Sequence, residues 1–366
     1  MNSLERSAIR NDPIFTTLSR KEKFWSEKQP LLVEHGYELR ARYRPGWKPS
    51  WLQEEGGDAL VMESEDSWRL PVRLGNFIDA TRVSDGLLVY VKQTRTEGHE
   101  LRFMAMLSDE KLRSDPKNHC IPLLDFFPDD VDPTFTYMVM PFVRRLDSPM
   151  LEDVNEFIDF VDQILEGLVF LHGVGVAHRD CSYANIMMDA STMYPTGSGF
   201  HPIYPHRLRD NSGSALHISR SKANVRYYFI DFGESSYFPP DDPSIARLVQ
   251  GTKCLDHEPP EFYRNEWYDP FKLDVFLIGN LLRRYFMDKF SNLSFLAPLV
   301  EHMVTDDPSE RLDAKAALQE WSCIRGQIGL ISRSWRLRNK DDSFPVRIAL
   351  DTYGVFKAGL ANTGWF

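Results

Sequence analysis

Six apolar residues, Phe157, Val161, Ile164, Leu165, Leu168 and Leu171, recur at spacings of three and four and stop at Gly173. An apolar stripe of that period is one face of an α-helix, and such a face needs a second layer to be buried against. Immediately after it, GVAHRDCSYANIMM at 175–188 sets His178, Arg179 and Asp180 ahead of Asn185. Charged residues placed at the end of a buried helix are either a solvated turn or groups held for chemistry.

From Leu70 to Val143 short apolar runs alternate with turn signals. IDATRV is followed by Asp85-Gly86 and then LLVYVK, the pattern of a hairpin whose turn admits a positive φ. HELRFMAMLSDEKL at 99–112 carries Leu101, Met104 and Leu107 at helical spacing, while IPLLDFF and FTYMVMPF read as two more strands. The order strand, strand, helix, strand, strand predicts a small antiparallel sheet with one helix.

Residues 1–69 hold charged, helix-like stretches and the aromatic run GYELRARYRPGWKPSW, and read as an extension packed on the main domain. The stretch 190–223 is rich in Pro, Gly, Ser and His and lacks a sustained period, so it reads as an inserted loop, locally basic through Arg207, Arg209, Arg220 and Lys222. Residues 326–366 read as a C-terminal extension. No internal repeat of roughly 20 to 50 residues is present.

Lys and Arg number 43 against 53 Asp and Glu, a formal charge of -10. That balance disfavours broad binding to nucleic acid or to an anionic membrane. Arginines interleaved with Trp and Tyr in GYELRARYRPGWKPSW can stack on bases, but in an acidic chain packing is the better reading. Neither nucleic acid nor membrane is expected as a partner.

Cys120, Cys181, Cys254 and Cys323 lie far apart and form neither a zinc pattern nor a disulfide framework. A reducing, intracellular setting is expected, cytoplasmic or nuclear. The start MNSLERSAIRNDPIF has no apolar leader core, and no stretch approaches the ~20 apolar residues of a membrane span.

Phosphoryl transfer needs a carboxylate to orient the acceptor hydroxyl, ligands for magnesium and a cation on the phosphates. His178-Arg179-Asp180 with Asn185 five positions on resembles the catalytic loop of the protein kinase superfamily, and YYFIDFGES, an apolar run ending in Asp231-Phe232-Gly233, resembles its metal-binding motif. EPPEF supplies Pro259-Pro260-Glu261 in place of Ala-Pro-Glu, KLDVFLIGNLL supplies Asp274 and Gly279, and DDPSERLDAKAAL supplies Arg311. LLVYVK resembles the strand that carries the phosphate-binding lysine, and TYMVMPFV resembles the hinge. The pattern also looks like that of kinase-like proteins abundant in fungal genomes.

The resemblance implies an α+β, bilobal protein-kinase-like fold over 70–325, with a small β-rich lobe at 70–143 and a larger, mainly helical lobe at 144–325. It implies that Asp180 orients the nucleophile beside Arg179, and that Asn185 and Asp231 hold magnesium. Lys92 paired with Glu100 would position the phosphates of ATP, while Met140, Pro141, Phe142 and Val143 line the adenine. Glu261 with Arg311, and Asp274 with the catalytic loop, would be structural ties.

The sequence departs from that family in four places. Only Gly75 stands near the turn where a glycine-rich loop should cover the phosphates, and Ser182 replaces a catalytic-loop lysine, with Ala184 where tyrosine kinases have arginine. Eight residues separate Lys92 from Glu100, and Asn185 lies unusually far ahead of Asp231.

The function expected is therefore ATP- and magnesium-dependent phosphorylation of a protein hydroxyl, of serine/threonine type. A pseudokinase serving as a nucleotide-binding or scaffold module, motivated by the missing glycines and Ser182, and a small-molecule phosphotransferase are the alternatives. Between Asp231 and Glu261 stand Ser235, Ser236, Tyr237, Ser244 and Thr252, any of which, once phosphorylated, would pair with Arg179.

Overall fold

The computed structural model describes residues 9–53, 61–71, 76–195, 199–242, 244–251, 253–264 and 266–362. The chain divides into two compact units. One holds the residues up to Ala105 with Ile121–Val143 and Asp189–Ile218; the other holds Met106–Cys120, Arg144–Met188 and the chain from Ser219 onward.

The first unit is built on an antiparallel sheet of β1 (Tyr37–Leu39), β2 (Phe77–Arg82), β3 (Leu88–Arg95), β4 (Asp125–Pro128) and β5 (Phe135–Pro141), in the order β1-β2-β3-β5-β4. The hairpin of β2 and β3 forms as the sequence predicts. Gly86 takes φ 74 at its turn, and the Asp85 carboxylate accepts from Arg82 Nε at 3.0 Å and from the Leu87 N–H at 3.1 Å. IPLLDFF is strand only from Asp125. Pro122 has no N–H to give a ladder, and pairing starts where the Leu124 N–H reaches Val139 O at 2.8 Å.

Strand β1 comes from the stretch read as an extension. It pairs with β2 through Tyr37↔Arg82 and Leu39↔Ala80. Helix α1 (Arg20–Glu34) precedes it and opens with a capping box between Ser19 and Glu22. Trp25, Leu32, Tyr37 and Tyr43 from this region are buried in one apolar cluster with Ile78, Ala80, Val89, Val91, Tyr137 and Val139 of the sheet. Glu22 also accepts from the fully buried Arg42 at 2.9 Å. Burial pushes the Glu22 carboxyl up, but the Ser19 N–H and the Arg42 guanidinium outweigh it and hold the group below its ordinary value.

Helix α2 (His99–Leu107) carries Glu100 in its first turn. The 99–112 stretch does not continue as one helix, because Asp109 caps a separate turn at Glu110–Arg113 by accepting from the Lys111 N–H at 3.0 Å.

The second unit is mainly helical. Helix α3 (Val154–Gly173) is the striped helix, with Asp153 as its N-cap and Phe157, Val161, Ile164, Leu165, Leu168 and Leu171 all buried. Helix α4 (Pro270–Leu282) is nearly all buried, and helix α5 (Ala314–Gln327) seats Trp321 with its indole N–H on Asp162 Oδ1 at 2.6 Å. After α5 the chain returns to the start of α3, where the Val154 N–H donates to Trp335 O at 3.0 Å and the Leu337 N–H to Glu152 O at 2.9 Å. The α+β organisation expected from the sequence, a β-rich part followed by a larger helical part, is the one adopted. Among the described residues no helix is long and apolar enough to cross a membrane.

Short strands frame the loop that follows α3: β6 (Arg144–Arg145) pairs with β8 (Ile186–Asp189), which is joined in one sheet by β9 (Arg226–Phe229), and β7 (Val176–Ala177) pairs with β10 (Ser236–Tyr237). Gly175 leads into β7 with φ 81, and a Cβ there would lie 2.1 Å from Phe238 O. Gly175→Ala therefore combines a left-handed strain with a backbone clash, and urea unfolding is expected to show a loss of about 2 kcal/mol or more.

Candidate active site

The loop between β7 and β8 is anchored from below by a single carboxylate. Asp274 of α4, fully buried, accepts the His178 N–H on Oδ2 at 2.7 Å and the Arg179 N–H on Oδ1 at 2.6 Å, and His172 Nε2 lies 3.1 Å from Oδ2. Arg179 is thereby fixed at φ 68, a conformation non-glycine residues seldom adopt. His178 is held from both sides: its Nδ1 accepts the Asp180 N–H at 3.2 Å, which leaves Nε2 as the protonated nitrogen donating to Ile230 O at 3.0 Å.

This anchoring presents the Asp180 carboxylate to three donors. The Asn185 amide donates to Asp180 Oδ2 at 2.7 Å and to its carbonyl at 3.0 Å. The Cys254 thiol, at 3.1 Å, and the Leu255 N–H, at 3.0 Å, both donate to Oδ1. Burial raises the Asp180 carboxyl above its ordinary range, against the lowering effect of the Leu255 N–H and the Cys254 thiol. A buried carboxylate with no cation among these donors is a group poised to take a proton.

Asp231 joins the same neighbourhood through the backbone. The Ile230 N–H donates to Asn185 O at 3.0 Å, so the strand ending at Asp231 is stitched to the loop carrying Asn185. Asp231 sits at φ 63 with an exposed side chain, next to the fully buried Phe232, whose ring lies 4.9 Å from His178.

Arg179 reaches across to the segment after Asp231. Its guanidinium donates to Glu234 O at 3.1 Å, Ser236 Oγ at 3.3 Å, Gly251 O at 2.8 Å and Tyr268 Oη at 3.4 Å. Of the five hydroxyl residues singled out there, Ser236 meets Arg179, and Thr252 lies outside the described residues. Glu261 and Arg311, both buried, pair at 2.5 Å.

In the sheet unit Lys92 Nζ donates to Glu100 Oε1 and stands 4.9 Å from the centre of the Phe77 ring. Eight residues are thus enough for the ion pair, because β3 runs straight into the turn before α2. Met140 pairs in register with Tyr90 and Pro141 with Val89. Phe142 gives its N–H to Leu88 O at 3.1 Å and stacks its ring on Tyr90 at 4.2 Å. Met140 and Val143 are buried. Gly75 lies outside the described residues.

Cys254 and Leu255 are the contacts that the sequence did not signal. They stand more than 70 positions from Asp180, with no motif around them, and only folding brings them to its carboxylate. Ser182, two positions after Asp180, is buried, and among the described residues its hydroxyl has no hydrogen-bond partner.

The tie through Asp274 gives a direct test. Asp274→Asn keeps the shape but turns an N–H donor toward a backbone N–H, leaving a buried donor unsatisfied. Chemical denaturation is expected to show a loss on the order of 3 kcal/mol.

No family model matches the sequence. Among curated proteins the chain is similar to one from Arabidopsis thaliana named mitogen-activated protein kinase 10, 23% identical over 308 residues that cover 78% of this chain and 75% of that protein. That distant likeness suggests a protein-kinase-like relationship.

Proposed function

We propose that this chain is an ATP-dependent protein kinase of serine/threonine type, transferring the terminal phosphoryl group of ATP to a protein hydroxyl. The observation that carries the reading is the arrangement around Asp180: a carboxylate of raised proton affinity, oriented by the Asn185 amide, on a loop whose backbone is clamped by Asp274. In this reading Asp180 accepts the proton of the acceptor hydroxyl and orients its oxygen. Lys92, held by Glu100, neutralises phosphate charge, and Met140 to Val143 form the edge against the base.

The residues present suit magnesium. Asn185 uses its amide nitrogen on Asp180, which turns its Oδ1 into the remaining oxygen donor, and Asp231 offers an exposed carboxylate nearby in the chain path. Magnesium is commonly held by one or two protein oxygens together with phosphate oxygens and waters. When bound, magnesium would neutralise the charge that builds on the phosphate oxygens.

A protein acceptor is favoured over a small molecule by the buried pair of Glu261 and Arg311. The pseudokinase reading draws on Ser182, which brings no cation to the loop.

Three measurements test the proposal. Asp180→Asn is expected to lower phosphotransfer at least about 100-fold while leaving the magnesium-dependent, ATP-induced rise in melting temperature intact; transfer at the wild-type rate sinks the assignment. Asp231→Asn is expected to abolish that rise, and an unchanged rise would overturn its role as metal ligand.

The third is a pH profile. Since Asp180 acts as the base only when deprotonated and its proton affinity is raised, activity should fall with decreasing pH at values above the ordinary carboxylate range. Cys254→Ala removes a donor that favours the charged form, so the acid limb should move to higher pH; a limb that stays put would separate Cys254 from the ionisation of Asp180.

A further inference from the structure

Side chains alternate along a strand, so the registers fix what shares a face with Lys92. Phe77 lies opposite Lys92, Asp79 opposite Tyr90 and Thr81 opposite Leu88 across β2 and β3, while Met138 and Met140 lie opposite Lys92 and Tyr90 across β5. The other face, with Ile78, Ala80, Val89 and Val91, is the one packed on Trp25 and Tyr43.

The end of this face toward the β2–β3 turn is covered by the chain itself. The Phe200 ring lies 5.7 Å from Phe142, which stacks on Tyr90, which in turn meets Phe77 edge-on at 6.1 Å. Arg209 donates to Thr81 Oγ1 at 2.5 Å and to Gly86 O at 2.9 Å. Phe200 and Arg209 both belong to the long insertion. It has its own internal bonds, from the His201 N–H to Arg207 O at 2.8 Å, from the Leu208 N–H to Gly213 O at 2.9 Å and from the Ala215 N–H to His206 O at 2.9 Å. It is further docked by the buried His201 on Glu65 at 3.2 Å, by Tyr204 stacked on Trp68 at 4.6 Å and by Asn211 on Met62 O at 3.0 Å.

We infer that residues 199–215 are an intramolecular occupant of the nucleotide face: Phe200 closes the aromatic wall of Tyr90 and Phe142 on which a purine would stack, and Arg209 latches the insertion to the turn end of the β2–β3 hairpin, away from Lys92. This rests on the reading of Lys92 as the phosphate-binding lysine. Nucleotide then binds only as this strap lifts, and its apparent affinity is reduced by the fraction of molecules in which the strap is down. The latch suits a reversible device. The direct acceptors of Arg209 are a hydroxyl and a carbonyl rather than a carboxylate, and burial pulls its proton affinity down despite the pull of Asp79 and Glu65, so release returns the guanidinium to water.

The test is calorimetric binding of ATP with magnesium to the full chain, comparing wild type with Phe200→Ala/Arg209→Ala and with Arg209→Ala alone as the milder change. Binding tightened at least tenfold in the double variant supports the strap. Equal affinity overturns it and leaves the kinase reading standing; binding to none of the three overturns both. Hydrogen exchange of the wild type gives an answer independent of any variant: the Leu208 and Ala215 amides should exchange faster at saturating ATP, and unchanged or slower exchange overturns the proposal.

Discussion

Much of the candidate site hangs on the Asp274 carboxylate. An aspartate on a buried helix receives two consecutive backbone N–H groups, and that pair of bonds is what holds Arg179 in the left-handed region. Once Arg179 turns that way, its side chain leaves the loop toward the carbonyls of Glu234 and Gly251 while Asp180 faces Asn185 and Cys254. The loop, the segment after Asp231 and the helix below them are therefore one hydrogen-bonded object. A buried acceptor of this kind is costly to alter because each donor it serves would otherwise be stranded.

Two buried carboxylates, Glu22 and Asp180, differ in what compensates their burial. Glu22 has an arginine against it and is held in the charged form. Asp180 meets only a thiol, an amide and a backbone N–H, and burial leaves it easier to protonate. A cation at hydrogen-bond distance, more than burial itself, decides which way the proton affinity of such a group moves.

The helix stripe, the hairpin around Asp85-Gly86 and the loop motif were legible because each depends on neighbours a few positions away. The Asp274 and Glu261–Arg311 ties were legible only through resemblance, since nothing local marks an aspartate in an apolar helix as a clamp. What the sequence hid was decided by distant packing. Cys254 carries no pattern that points to Asp180, Tyr37–Leu39 is too short to announce a strand, and the aperiodic insertion hides Phe200 and Arg209 among residues typical of loops. Two local signals shift element bounds: Pro122 sets the start of β4 at Asp125, and the Asp109 cap divides the 99–112 stretch.

The edge strand β1 has a consequence for where the domain can be cut. A chain started at residue 70, where the family resemblance begins, would leave β2 with its outer row of N–H and C=O groups unmatched and would uncover the apolar side of the sheet that Trp25, Leu32 and Tyr43 protect. An open, apolar strand margin templates pairing with another molecule. A boundary set by motif spacing and a boundary set by what the fold must keep covered are thus different lines on this sequence, and the second falls well before the first.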